Sequence, residues 1–280
     1  MDNDDFEITI ESTMVSPLFA RAYYGNLYPE ILKDPKAESL YSRTREIYSD
    51  ADREFAAVEE LIEEFLGLTL LIRSRAFDDA VKRFISNHPQ ACVVNLGCGL
   101  ETNFFRVDNG KIRWFDLDLP DAIEYRANLL PETVRCKYIA KSVFNRDWFT
   151  ELDYSQKDGI FFIAGGLFGY FEEKEVASLF HDMAEFFVDG EMIFDINSRF
   201  GNAVVNRRLE QVGAKGVKFE LAIGNPKRQM KKWSDKIEIL DSYSLFSRIP
   251  LNPKWKRRTR YTMKLSNLIS AVKCIHVKFK

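Results

Sequence analysis

The sequence predicts an open α/β fold built on a mostly parallel sheet, and three observations predict it. Strand-like segments at Ala91–Leu96, Ile112–Leu117, Cys136–Ala140, Gly159–Ala164 and Glu191–Ile196 alternate with segments of helical periodicity, the pattern of right-handed strand–helix–strand units. The first run passes directly into a Gly97-Cys98-Gly99 turn. The second ends in Asp116 and Asp118, about twenty positions after the glycines, where a carboxylate can accept hydrogen bonds from two ribose hydroxyls.

Taken in order, the chain opens with helical segments. Pro17–Tyr28 mixes apolar and aromatic residues with arginine, and Pro29 and Pro35 punctuate it. Ser49–Asp52 is expected to cap a helix whose face is Phe55, Val58, Ile62 and Phe65, with Gly67 as its interruption. A further helix sets Ile72, Ala76, Ala80 and Phe84 on one side and stops at Asn87-His88-Pro89. Arg73 and Arg75, near its start, would point toward the glycine turn if this helix crosses the strand ends.

Beyond the first two strands, Pro120–Leu130 has proline at a first-turn position and Asp121 beside it, both favourable at a helix N-terminus. Gly159–Ala164 runs into the loop Gly165-Gly166-Leu167-Phe168-Gly169-Tyr170. Glu172–Phe187 is amphipathic through Val176, Leu179, Phe180, Met183 and Phe187. Glu191–Ile196 leads to Asp195 and Asn197 at the same sheet end. Ser198–Val212 and Asn225–Lys232 read as helices, Lys236–Leu240 as a strand, and Ile275–Phe279 as an antiparallel edge strand. His181 reads as packing or surface, and Lys254–Lys264 as a solvated basic face.

At 280 residues the chain can bury a full core. A net charge of −2 provides no global field for nucleic acid or membrane. Cys92, Cys98, Cys136 and Cys274 lack metal or disulfide spacing, so reduced thiols, and with them a cytoplasmic location, are expected. No run reaches membrane-spanning length, and the acidic MDNDDFEITI start lacks a signal-peptide core. Glu101 stands where a dinucleotide fingerprint would place another glycine. A carboxylate there disfavours a pyrophosphate and favours a ligand joining an adenosine to a cationic sulfonium or amino group, hence S-adenosylmethionine (SAM) over NAD.

With these residues in view, the chain resembles the leucine carboxyl methyltransferase-like family, in its polyketide O-methyltransferase branch. VVNLGCGLETNFFRV followed by WFDLDLP is similar to that family's LGAGLDT and VDLP signatures. RSRAFDDAVKRFI, FFIAGGLFGYFEEKEV, EMIFDINS and the MVSPLFARAYYGNLYPEILKDPKAESL entry segment are similar to further family regions in the same order. The resemblance implies a Rossmann-like class I methyltransferase fold, with a seven-stranded sheet, helices on both faces and an added N-terminal helical cap. Residues 1–89 would form the cap and residues 90–280 the SAM-binding region of one structural unit.

Position by position, the resemblance implies that Arg73 pairs with the methionine carboxylate of SAM, Gly97 and Gly99 lie under the ligand, Asp118 holds the ribose, and Ser142 and Val143 meet the adenine. Two positions depart from the family. Ser142 stands where an acid is usual, and Gly165 replaces the glutamate of an IAEG stretch beside the cofactor. Tyr170 is the candidate for lining the acceptor pocket, and Asp195 closes the fifth strand near it. The function expected is O-methyl transfer to a carboxylate or hydroxyl of a small metabolite. A non-catalytic SAM-binding relative and a protein carboxyl methyltransferase are the alternatives, and an NAD(P) oxidoreductase is disfavoured by Glu101. Neither acceptor nor oligomeric state is legible.

Overall fold

The computed structural model describes residues 10–47, 62–211 and 218–280. Its centre is a seven-stranded sheet: β1 (Cys92–Leu96), β2 (Arg113–Asp118), β3 (Cys136–Ala140), β4 (Ile160–Ala164), β5 (Glu191–Asn197), β6 (Ile237–Ser244) and β7 (Val272–Phe279). Their spatial order is β3-β2-β1-β4-β5-β7-β6. Strands β1 to β5 are parallel, whereas β7 runs antiparallel to both β5 and β6. The sheet reverses its winding beside β1, and the crevice outside the carboxyl ends of β1 and β4 is where such folds hold ligands.

Strands β1 and β4 are buried at every position, which explains why their sequences run apolar without alternation. The pleat still divides the core. Val93, Trp114, Phe161, Ile163 and Ile193 pack on one face, under α3 (Glu64–Asn87). Val94, Leu96, Leu117, Phe162, Ala164 and Phe194 pack on the other, under α6 (Glu173–Phe186). The predicted stripe of α6 is fully buried, and each such side chain contributes about 1.5–3 kcal/mol.

Before the sheet, α1 (Ile10–Phe19) continues through a π-helical turn at Ala20–Tyr24 into Gly25–Leu27, and α2 (Pro35–Ile47) follows. The predicted cap at Ser49–Asp52, with Phe55 and Val58, lies outside the described residues. Gly67 does not interrupt a helix; it is buried inside α3. A Cβ there would collide with the Tyr24 ring, so the glycine serves a close helix crossing rather than a break.

Three short or well-bounded helices follow strands as expected: α4 (Asn103–Val107), α5 (Pro120–Leu129) with proline in its first turn, and α6. Beyond β5 lie α7 (Arg199–Gln211), α8 (Pro226–Trp233) and α9 (Arg257–Leu268). The Asn225 side chain caps α8 by accepting the Arg228 N–H at 3.1 Å. The basic stretch Lys254–Lys264 spans the approach to α9 and most of that helix, with Lys254, Lys256, Arg257, Arg258 and Lys264 exposed and Trp255, Thr259 and Met263 buried. Strand β7 is antiparallel as predicted but not at the edge; it fills the space between β5 and β6, and β6 is the edge.

Candidate functional site

The turn after β1 crosses to the end of β2. The Gly97 and Cys98 N–H groups both donate to the Leu117 carbonyl, at 2.8 and 3.2 Å. Gly97 and Gly99 have φ of +62° and +44°, the left-handed region that costs an L side chain about 1–2 kcal/mol. The Gly99 N–H then donates to Asp118 Oδ2 and the Leu119 N–H to Asp118 Oδ1, each at 2.8 Å. Burial pushes the Asp118 carboxyl up from its ordinary value, and those two amides pull against it. One amide on each carboxylate oxygen leaves further lone pairs for ligand hydroxyls.

Beneath the turn, Arg126 of α5 donates to the Gly99 carbonyl at 2.9 Å and to Asp116 Oδ2 at 2.5 Å. Asp116 also accepts from Trp114 Nε1 at 2.8 Å and from Asn95 Nδ2 at 3.2 Å. Asp116 is thus a buried support of the glycine turn, and Asp118 is the acid that reaches the cavity. Burial raises the Cys98 thiol far above its ordinary value, which keeps it protonated and unreactive.

Glu101 lines the cavity, but its charge is already met, by Arg21 from the N-terminal helices and by Arg106 from α4. Arg21 Nη1 donates to Glu101 Oε2 at 2.9 Å and Arg106 Nη2 to Oε1 at 3.1 Å. Arg106 also binds Asp78 and Asp34, and Thr102 Oγ1 donates to Asp34 at 2.6 Å. Burial alone would raise the Glu101 carboxyl; the two arginines outweigh it and hold the group down at about 2. Glu101 therefore joins cap to turn, and its force as an argument against a pyrophosphate is correspondingly smaller.

Arg73, from α3, reaches the same cavity from the β4 and β5 side. Its Nη1 is 3.5 Å from Asp195 Oδ2, while Asp195 Oδ1 accepts the Gly166 N–H at 2.6 Å. Arg75 turns away, pairing with Asp79 on the surface and donating to the Glu30 carbonyl, because two residues along a helix lie on opposite sides. At Gly165, the departure from the family pattern, a Cβ would stand 3.0 Å from the Phe77 ring. Phe77 occupies the ground that a glutamate side chain would need. Tyr170 lies on the cavity wall with its ring 4.4 Å from that of Phe219, and burial raises its hydroxyl above the ordinary value.

These groups surround one cavity of 420 Å³ at the carboxyl end of the sheet, within the range of small-ligand and cofactor sites. It brings together Arg73, Gly97, Gly99, Asp118, Gly165 and Tyr170, along with Asp195. It does not include Ser142 and Val143, which follow β3 at the same sheet end; the Val143 carbonyl there accepts Trp148 Nε1 at 3.0 Å. Sequence reading missed Arg21, Arg126 and Phe77. The one available signal was Arg21 itself, an arginine standing alone in the apolar run SPLFARAYYG.

Sheet order and cavity position define a Rossmann-like class I methyltransferase fold. Residues 14–184 match the leucine carboxyl methyltransferase family. The chain belongs to that family, and it is a SAM-dependent methyltransferase. Tetracenomycin polyketide synthesis O-methyltransferase TcmP of Streptomyces glaucescens is 28% identical over 260 residues, covering 88% of each chain. A DUF574 family protein from Streptomyces avermitilis MA-4680 has a TM-score of 0.57 at 10% identity, over 94% of this chain and 100% of that one, a likeness of fold alone. Among the described residues, no helix is long and apolar enough to cross a membrane and no acidic, His or Cys group is arranged to hold a metal ion.

Proposed function

We propose that the chain is a SAM-dependent O-methyltransferase whose acceptor is a small, largely apolar metabolite. The observation that carries this reading is the single cavity that joins the Gly97–Gly99 turn and Asp118 to an apolar compartment between α3, β5 and α7. Its residues fit the cofactor. Left-handed glycines permit close backbone approach, and Asp118 keeps free lone pairs for ligand hydroxyls. In this reading Arg73 pairs with the methionine carboxylate, Asp118 holds the ribose, and Ser142 and Val143 flank the adenine. Gly165 lies beside the methionine end, with Phe77 filling the ground a glutamate would take, and Tyr170 lines the acceptor compartment.

When bound, SAM would supply an activated methyl group on a sulfonium. The protein's own task is positioning and exclusion of water. In this reading residues 1–89 are the N-terminal cap region and residues 90–280 the SAM-binding region, joined at the Arg21–Glu101 pair. A small-molecule acceptor also agrees with the part its relative TcmP takes in tetracenomycin polyketide synthesis.

Calorimetric titration with S-adenosylhomocysteine tests the cofactor assignment. Asp118→Ala is expected to weaken binding by about 10- to 100-fold, the worth of hydrogen bonds to a charged group. Unchanged affinity in the variant would remove Asp118 from the site. Transfer of labelled methyl from SAM to an acceptor panel then tests the reaction.

A further inference from the structure

We infer that the outer face of α9, with the adjoining start of α7, is a docking surface for an anionic phospholipid bilayer. The inference stands on the surface of the molecule and is independent of how the cavity holds a cofactor or an acceptor.

The first observation is where the charges lie. The chain as a whole is close to neutral, yet from Ser242 to Lys280 it carries ten lysines and arginines and not one acid. Some of these cations are engaged within the fold: Arg248 pairs with Asp241, Lys278 with Asp189 and Lys280 with Glu238. Lys254, Lys256, Arg257, Arg258 and Lys264 are exposed, and none of them forms an ion pair among the described residues. Such a cluster on and before one helix makes a local positive field that the net charge of −2 conceals.

The second observation is what lies between the cations. Helix α9 turns Thr259, Met263 and Ser266 inward, where they are buried. By the same three- and four-residue spacing it turns Tyr261, Leu265 and Leu268 outward. Tyr261 is 69% exposed and Leu268 82%. A solvated helix face is ordinarily polar, whereas this one carries more hydrocarbon outward than inward. Helix α7 repeats the pattern, with Phe200 and Val204 more than half exposed and Arg207 exposed one turn on. The end of α9 and the start of α7 meet at the Ala271 carbonyl, which accepts the Ser198 N–H at 2.9 Å and would lie 2.3 Å from a Cβ on Gly201. The other side of α7, through Val205 and Leu209, lines the cavity, so the surface adjoins the site.

Charge and hydrocarbon together favour a bilayer over other polyanions. Apolar side chains that project from a basic helix can sink about 5–10 Å into the head-group boundary, while the cations meet the lipid phosphates and carboxylates. Tyrosine suits that depth, being apolar in its ring and polar at its tip. Nucleic acid would use the cations but gain nothing from Leu265, Leu268 and Val204, which offer no stacking face.

The test sediments the full chain with sucrose-loaded vesicles of phosphatidylcholine alone, and of phosphatidylcholine with about 30% phosphatidylserine. Partition onto the anionic vesicles is expected to be at least about tenfold higher at about 0.1 M salt, and to fall at least about fivefold at about 0.5 M. Tyr261→Ser with Leu268→Ser is expected to lower it about tenfold, and Arg257→Glu with Arg258→Glu at least about tenfold. All four side chains are exposed, so unfolding midpoints and S-adenosylhomocysteine affinity should match the parent in both variants. Equal partition onto the two kinds of vesicle, or none onto either, overturns the inference. Loss in the arginine variant with none in the Tyr261 and Leu268 variant marks a general polyanion site, and overturns it too. The vesicle comparison is made on the unaltered chain, so it decides the matter even where a variant folds poorly.

Discussion

Gly166 combines a φ of +69° with a Cβ position 2.7 Å from Arg73 Nη1. Gly166→Ala is therefore expected to cost about 1–2 kcal/mol in backbone strain and to displace Arg73, weakening S-adenosylhomocysteine binding as well; urea unfolding and calorimetry read the two effects separately. Restoring the family residue by Gly165→Glu is expected to lower stability, since Phe77 holds that space, and to be tolerated better together with Phe77→Ala. Glu101 carries a pH signature. Its carboxyl lies at about 2 against an ordinary 4.5, so its contribution is fully present above pH 4.5 and is lost as pH falls toward 2. Unfolding midpoints measured from pH 6 downward should fall less steeply in Glu101→Gln than in the parent. Gly97, Gly99 and Asp118 were legible in sequence because a turn and a strand end confine them to one place. Arg21 was not, since its partner Glu101 is 80 positions away and only the fold brings them together.

Among elements, α3 does the most joining. Its first turn carries Glu64, buried at a three-way junction: Tyr28 Oη donates to Oε1 at 2.8 Å, while the Lys256 N–H and Thr259 Oγ1 donate to Oε2 at 2.9 and 2.5 Å. One carboxylate thus fastens the N-terminal helices and α9 to the same helix end. Glu64→Ala removes the shared acceptor of one buried and two partly buried donors and is expected to cost about 1–3 kcal/mol, seen as a lowered denaturant midpoint. The strands were read to within a residue or two where a buried parallel position forced an apolar run, as in β1 and β4. Gly67 misled because a helical glycine costs only about 1 kcal/mol, too little to stop a 24-residue helix, and the Tyr24 contact that requires it belongs to another element. The place of β7 inside the sheet was hidden for a related reason: alternation in Ile275–Phe279 reports which faces are covered, not which strand lies alongside.

At the scale of the molecule, Arg126 of α5 and Asp116 of β2 form an ion pair beneath the glycine turn, both essentially without solvent contact. Arg126→Met would leave Asp116 buried and uncompensated beneath the glycine turn, and a loss of about 3–5 kcal/mol is expected; adding Asp116→Asn should recover part of it, a comparison best made as a double-mutant cycle in urea. The insertion of β7 between β5 and β6 bears on how the chain is made. Five parallel strands leave the ribosome before it, and the outer edge of β5 waits with unpaired N–H and C=O groups beside Met192 and Phe194. Synthesis of Ser198 to Ala271 keeps that edge open for roughly 4–15 s at ordinary translation speeds. An open apolar edge is a template for strangers, so the nascent protein passes through seconds of sticky half-sheet before its own last strand arrives to seal it.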